Sequence, residues 1–279
     1  MKALVKKLVD KMLGQRVGGA LAKLRDYDEF AFTRQVAEAL RDEADRRGLD
    51  EAARHYLLYC IQREMYPKFV IADHSRVMLD DAQFMRTFAR YSDENWTSFE
   101  RKWNLREFLR LVDELPGHFA ECGVFRGASA HLLCEVAGPA GREVHLFDSF
   151  AGLSQPNVNE GDHWAQGDLS VSEQTVQENL RQFDCFRTFK GWIPERFNDV
   201  GDEQYAFVHI DVDLEQPTHD SLAFFYPRLP VGGVILLDDH GVTTCPGARR
   251  AALAYFAERP EPVLDLATGQ GLVIKRAAA

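Results

Sequence analysis

The chain has 279 residues, 46% of them hydrophobic and 27% charged, with a formal net charge of −10 at pH 7. That is enough apolar material for one substantial core, and the acidic surplus argues against a nucleic-acid binder. Five cysteines (Cys60, Cys122, Cys134, Cys185 and Cys245) form no C-x-x-C pair, so neither a disulfide framework nor a zinc site is expected and a reducing, cytoplasmic setting fits.

The first residues, MKALVKKLVDKMLG, place Leu4, Val5, Leu8, Val9, Met12 and Leu13 at helical spacing, with Lys2, Lys6, Lys7 and Lys11 opposite. They lack the apolar stretch of a signal peptide. Two readings are open, a helix packed on its own fold or on a second subunit, and a helix lying on a membrane surface. The acidity of the rest of the chain favours the first. Helical periodicity continues to about residue 115, as in the stripes Phe32, Val36, Leu40, Ala44 and Phe108, Leu109, Val112, Leu115. No apolar run reaches the ~18 residues of a transmembrane span. Residues 1–115 therefore form a predicted helical N-terminal region.

Beyond Pro116 short apolar runs alternate with helical patterns. The runs are His118–Phe125, Glu143–Asp148, Phe186–Trp192, Tyr205–Leu214, Gly233–Asp238 and Gly271–Lys275. The helices are Ala128–Ala137, Ser172–Phe183, Thr218–Leu229 and Ala248–Arg259. This alternation predicts an α/β fold, a mostly parallel sheet covered on both faces, over residues 116–279. Ligands of such sheets sit outside the carboxyl ends of the strands, so the residues at those ends are the candidates.

The first run ends in Glu121-Cys-Gly123-Val-Phe-Arg-Gly127. Its glycines suit a tight turn and close ligand approach, but the spacing is neither a dinucleotide fingerprint nor a Walker loop. The second run ends at Asp148, where a carboxylate can accept ribose hydroxyls or simply cap a loop. Loop and carboxylate together favour a nucleoside ligand without phosphates, such as S-adenosylmethionine. The fourth run ends in His209-Ile-Asp211-Val-Asp213 and the fifth in Asp238-Asp239-His240. Strands joined through one helix are usually neighbours, so four carboxylates should meet, and they repel unless a cation neutralises them. Oxygen donors without cysteine point to a hard ion such as Mg²⁺. Asp211 and Asp213 share a face on a regular strand: one could hold the metal while the other takes a proton. His209 and His240 compete as bases or support the ligands from behind.

These blocks resemble the macrocin O-methyltransferase family, metal-dependent enzymes that methylate sugar hydroxyls on antibiotics. The resemblance covers roughly Trp96 to Arg276 and extends through Phe147-Asp-Ser-Phe-Ala-Gly-Leu153, Gly167-Asp-Leu-Ser-Val171, His209–Thr218, Phe225–Asp239, Cys245-Pro-Gly-Ala-Arg249 and Thr268-Gly-Gln-Gly271. It implies a Rossmann-like class I methyltransferase sheet using S-adenosylmethionine and Mg²⁺. Glu121, Gly123 and Gly127 would shape the cofactor loop, Asp148 with Ser149 would bind ribose, and Gly191 and Trp192 would lie near the adenine. Asp211, Asp238 and Asp239 would hold Mg²⁺, and Asp213 would be the general base. The acceptor would be a sugar-containing small molecule of natural product biosynthesis. The N-terminal region would help form the acceptor site and the subunit contact of a homo-oligomer. Residues 167–171 would belong to a mobile loop or lid; Asp168 and Ser170 read equally as cofactor contacts and as plain loop residues. The family commonly has tyrosine where this chain has His240, which bears on the acceptor pocket and the choice of base. Other readings are a catechol-type O-methyltransferase, an NAD-dependent oxidoreductase and a non-catalytic scaffold.

Overall fold

A computed structural model describes residues 29–65, 77–91 and 98–277. The basic amphipathic segment at residues 1–14 lies outside them. The chain divides into two compact units, Met1–Met85 and Arg86–Ala279. The first contains helices α1 (Glu29–Arg46), α2 (Glu51–Met65) and α3 (Val77–Asp80), and helix α4 (Ala82–Arg90) starts in it. Ala44, from the predicted apolar stripe of α1, is buried. Among the described residues no helix is long and apolar enough to cross a membrane.

The second unit is the α/β body. It opens with helix α5 (Phe99–Leu109), started by the Ser98 side chain, which accepts from the Arg101 amide, as a serine cap should. Leu109 and Val112 of the predicted stripe are fully buried, and so is Leu105. Seven strands follow: β1 (His118–Cys122), β2 (Val144–Asp148), β3 (Phe186–Lys190), β4 (Tyr205–Ile210), β5 (Val234–Leu237), β6 (Leu264–Asp265) and β7 (Gly271–Ile274). Their order is β3-β2-β1-β4-β5-β7-β6; β1 to β5 run parallel and β7 antiparallel to β5. The crossovers include α6 (Ala128–Ala137), α7 (Glu173–Asn179), α8 (Glu215–Phe225) and α9 (Pro246–Phe256). The core contains Phe147 stacked on Phe189 at 4.7 Å, with Phe197 and Phe225 edge-on, because strands covered on both faces carry near-continuous apolar runs.

Register fixes the site. Cys122 pairs with Phe147 on one side and Ile210 on the other, and Ile210 pairs with Leu237. Gly123, Asp148, Asp211 and Asp238 are each the next residue, so they leave the sheet along one edge. Strand order reverses between β1 and β4, which opens a crevice at that edge.

Several strands are shorter than predicted, for local reasons. Strand β1 stops where Gly123 turns to φ +82°. Strand β4 stops before Asp211 because Val212–Leu214 forms a tight turn, Leu214 N–H to Val212 O at 2.6 Å. Asp213 takes a left-handed φ of +59°. The expectation that Asp211 and Asp213 share the face of a regular strand is therefore corrected. Strand β6 has only two residues, too few for an alternation signal.

Candidate active site

One cleft at this edge is lined by residues from both halves of the sheet. Glu121, Gly123, Asp148, Ser149, Trp192, Asp211, Asp213, Asp238 and Asp239 all reach it. Gly127 starts α6 in a left-handed conformation behind the loop, and Gly191 bonds the Asp148 carbonyl through its amide; neither lines the cleft.

The glycine loop is held by a carboxylate. Asp148 Oδ2 accepts from the amides of Val124 and Phe125 at 2.7 and 3.3 Å, and Oδ1 from Phe150 at 2.6 Å. Burial pushes its carboxyl up and these bonds pull it back. Ser149 closes the next turn, donating to Gly152 O and accepting from Ala151 N–H. The Trp192 indole donates to the same Gly152 carbonyl at 3.3 Å, and the residue remains 43% exposed. Gly123 cannot carry a side chain, because a Cβ there would stand 1.8 Å from the Asp211 carbonyl oxygen.

The four aspartates fall into two groups whose ligand atoms lie within 4.8 Å: Asp211 and Asp238 with His209, and Asp213 and Asp239 with Cys245. His209 is wholly buried, with Nδ1 3.0 Å from Glu121 Oε1 and Nε2 3.2 Å from Asp238 Oδ1. Burial alone would depress its pKa, but the two carboxylates outweigh it and lift it to about 9. Both ring nitrogens are engaged, so His209 is a cationic link beneath the site and not a free base. Asp238 is further held by Gln270 Nε2 at 2.7 Å. Burial would raise its carboxyl, yet Lys102, His209 and Arg101 hold it well below the usual carboxylate range.

The other three carboxyls are pushed up. Burial and the charge of Asp238 raise Asp211, and burial and Asp213 raise Asp239. Burial and Asp211 raise Asp213 to about 7. Among the described residues the Asp211 carboxylate accepts no hydrogen bond. Asp239 Oδ2 accepts from the Asp213 amide at 3.1 Å. The Cys245 thiol lies 3.4 Å from Asp213 Oδ1.

His240 is placed elsewhere. Its Nε2 meets Asp265 Oδ1 at 3.1 Å and its ring lies against Gly271; burial lowers its pKa. It does not line the cleft, so its position gives no support to a catalytic role.

Sequence reasoning missed two cations. Arg101 and Lys102, both on α5, line the cleft. Arg101 pairs with Asp238 and Asp239 at 2.5 and 3.2 Å, and the Lys102 ammonium donates to Ser129 Oγ. It also missed Trp164, whose indole donates to Cys245 Sγ at 3.4 Å. Leu153, Ser154, Trp164 and Leu169, not Asp168 or Ser170, line the cleft from the 153–171 segment. That segment folds back on itself, with Leu153 bonding Asp168 O and Gly167 bonding Leu153 O. The signal for Trp164 was an isolated tryptophan in a polar loop.

The family model described as macrocin-O-methyltransferase (TylF) matches residues 97–262, more than half of the chain. The chain belongs to this family. Among similar proteins is the demethyldecarbamoylnovobiocin O-methyltransferase of Streptomyces niveus, 30% identical over 57% of this chain and 66% of that protein. The mycinamicin III 3''-O-methyltransferase of Micromonospora griseorubida is 28% identical over 67% of this chain and 82% of its own length. The matches span less than two thirds of the first two relatives, at 66% and 57% of their lengths. Of solved structures, the O-methyltransferase NovP is 27% identical, with a TM-score of 0.55 over 64% of this chain and 81% of that one. A calicheamicin methyltransferase is 18% identical with a TM-score of 0.56 over 70% and 93%, and shares the fold.

Proposed function

We propose that this protein transfers a methyl group from S-adenosylmethionine to a hydroxyl of a sugar or glycosylated small molecule, with Mg²⁺ bound by Asp211, Asp238 and Asp239. The observation that carries the reading is the meeting of the Gly123 loop with four aspartates, three of them buried, in one cleft. The family match and the curated relatives, one of them named for a rhamnosyl-bearing tetracenomycin, support the same class of acceptor.

The residues fit a hard divalent cation. Burial first, then mutual repulsion, raises three of the four carboxyls, and a cation among them would favour their ionised forms. Asp211 retains its full acceptor capacity, and the donor set is oxygen-rich, as magnesium requires. When bound, the cation supplies Lewis acidity that makes an acceptor hydroxyl easier to deprotonate.

The chain's own residues supply the rest. Asp213 takes the hydroxyl proton; the oxygen then forms the new C–O bond as the methyl C–S bond breaks, releasing S-adenosylhomocysteine. A base that titrates near neutrality suits that transfer. The left-handed backbone at Asp213, which costs a non-glycine residue about 1–3 kcal/mol, points its carboxylate beside Asp239 and Cys245. Glu121 and Asp148 sit at the donor side, and Trp164 and Leu169 cover the cleft. Much of the acceleration then comes from alignment of the two substrates.

Calorimetric titration with S-adenosylhomocysteine, with NAD as control, tests the donor assignment. Micromolar binding of the first alone is expected; its absence in folded protein refutes the methyltransferase reading. A Mg²⁺-supplemented panel of glycosides and catechols then tests the acceptor class.

A further inference from the structure

Arg101 enters the acid cluster from outside the sheet. Its Nη2 lies 2.5 Å from Asp238 Oδ2 and 3.2 Å from Asp239 Oδ1, and also donates to the Asp238 carbonyl. Those two carboxylate oxygens belong to two of the three residues assigned above to the divalent cation. Magnesium needs its oxygens at about 2.0–2.1 Å. An ion shared by Asp238 and Asp239 through these two oxygens would fall on the ground that Nη2 holds, and two positive centres cannot occupy it together.

The guanidinium is also incompletely tied. An arginine locked on a carboxylate usually forks, with two parallel N–H···O bonds. Here a single nitrogen makes the carboxylate contacts, while Arg101 Nε is buried without a partner among the described residues. The side chain lines the open cleft and remains 18% exposed, so a path outward exists. Its backbone is anchored in the first turn of α5, where the Ser98 cap holds its amide. Helix and head can therefore behave separately.

We infer that Arg101 is the resident counter-cation of the Asp238–Asp239 pair and is exchanged for the divalent ion when that ion binds. The inference rests on the metal assignment proposed above. Without metal, adjacent buried carboxylates need a positive partner, because an uncompensated buried charge is strongly destabilising. Arg101 meets that need and so keeps the site assembled. The same contact raises the concentration at which the ion enters, since the ion must first displace a guanidinium. Once displaced, Arg101 stands in the cleft as a free fork-shaped donor on the wall that α5 contributes.

The test is calorimetric titration of the chelator-stripped full chain with MgCl₂, and separately MnCl₂, for wild type, Arg101→Met and Arg101→Lys. Melting temperature is recorded with and without metal. Arg101→Met should bind either ion at least tenfold more tightly, melt lower than wild type when metal-free, and gain more on metal addition. Arg101→Lys should fall between, with affinity at least threefold above wild type, because the shorter lysine side chain does not carry its ammonium to the place where Nη2 meets both carboxylates and the carbonyl. Equal or weaker metal binding by folded Arg101→Met overturns the exchange. If that variant does not fold, unchanged affinity in Arg101→Lys overturns it. Binding of S-adenosylhomocysteine with no metal binding in any of the three proteins refutes the metal assignment itself, and the exchange with it.

Discussion

His209 offers a direct measurement of charge beneath the cleft. Its imidazole is wholly buried between Glu121 and Asp238, and the pair lifts it from 6.5 to about 9. A pKa raised on folding contributes stability in full below the unfolded value and loses it as pH rises through the folded one. The window is therefore pH 6.5 to 9, and the shift corresponds to about 3 kcal/mol. Replacing His209 by Gln keeps a hydrogen-bonding side chain but removes the charge, leaving the flanking carboxylates without it; losing one partner of a buried pair costs about 3–5 kcal/mol. Urea denaturation followed by tryptophan fluorescence in chelator-treated buffer, at pH 6 and pH 10, measures both. The variant should be less stable by about 3 kcal/mol at pH 6 and nearly equal to wild type at pH 10, where both are uncharged. A penalty of the same size at both pH values would mean that His209 is neutral in the fold, and the ion-pair account would be wrong.

Asp213→Asn should lower turnover by about 10²–10⁴-fold while S-adenosylhomocysteine affinity, read by calorimetry, stays within a few-fold; undiminished turnover removes the base role. Gly123→Ala would force a Cβ against the Asp211 carbonyl at a positive φ, and should destabilise the protein in thermal melts while weakening S-adenosylhomocysteine binding, whereas Gly161→Ala, with open space around it, should leave binding unchanged. His131 titrates in the opposite sense to His209. It is 3% exposed beneath Tyr91 and Gln182, and burial, then Arg90, lowers its pKa to about 4. Stability is complete above pH 6.5 and falls between pH 6.5 and 4, by up to about 3 kcal/mol; Phe at this position should flatten that part of the wild-type profile in urea titrations.

The sheet was legible because its strands announce themselves twice, by apolar runs and by abrupt polar ends. Helix Ala128–Ala137 and the adjacency of the runs ending at Asp211 and Asp238 followed from that rhythm alone. Other features were hidden for physical reasons. Strand periodicity cannot foresee that Asp213 turns left-handed, because the turn depends on Asp239 accepting its amide. Arg101 and Lys102 read as ordinary charges on a helix surface, and only packing against residues far along the chain brings them to the carboxylates. His240 stood in a suggestive sequence position, yet one residue of further rotation past Asp239 carries its ring toward Asp265. Tertiary context, not local pattern, decided each of these.

Helix α5 comes before the sheet in the chain and carries two of the cations that its acidic edge uses. A fragment cut at residue 116 would keep all seven strands and every aspartate of the cluster, yet it would leave Arg101 and Lys102 behind. For grafting or recombination between family members, the smallest exchangeable piece must begin upstream of Arg101. A chimera joined inside the 103–116 stretch inherits its carboxylates from one parent and their counter-charges from the other.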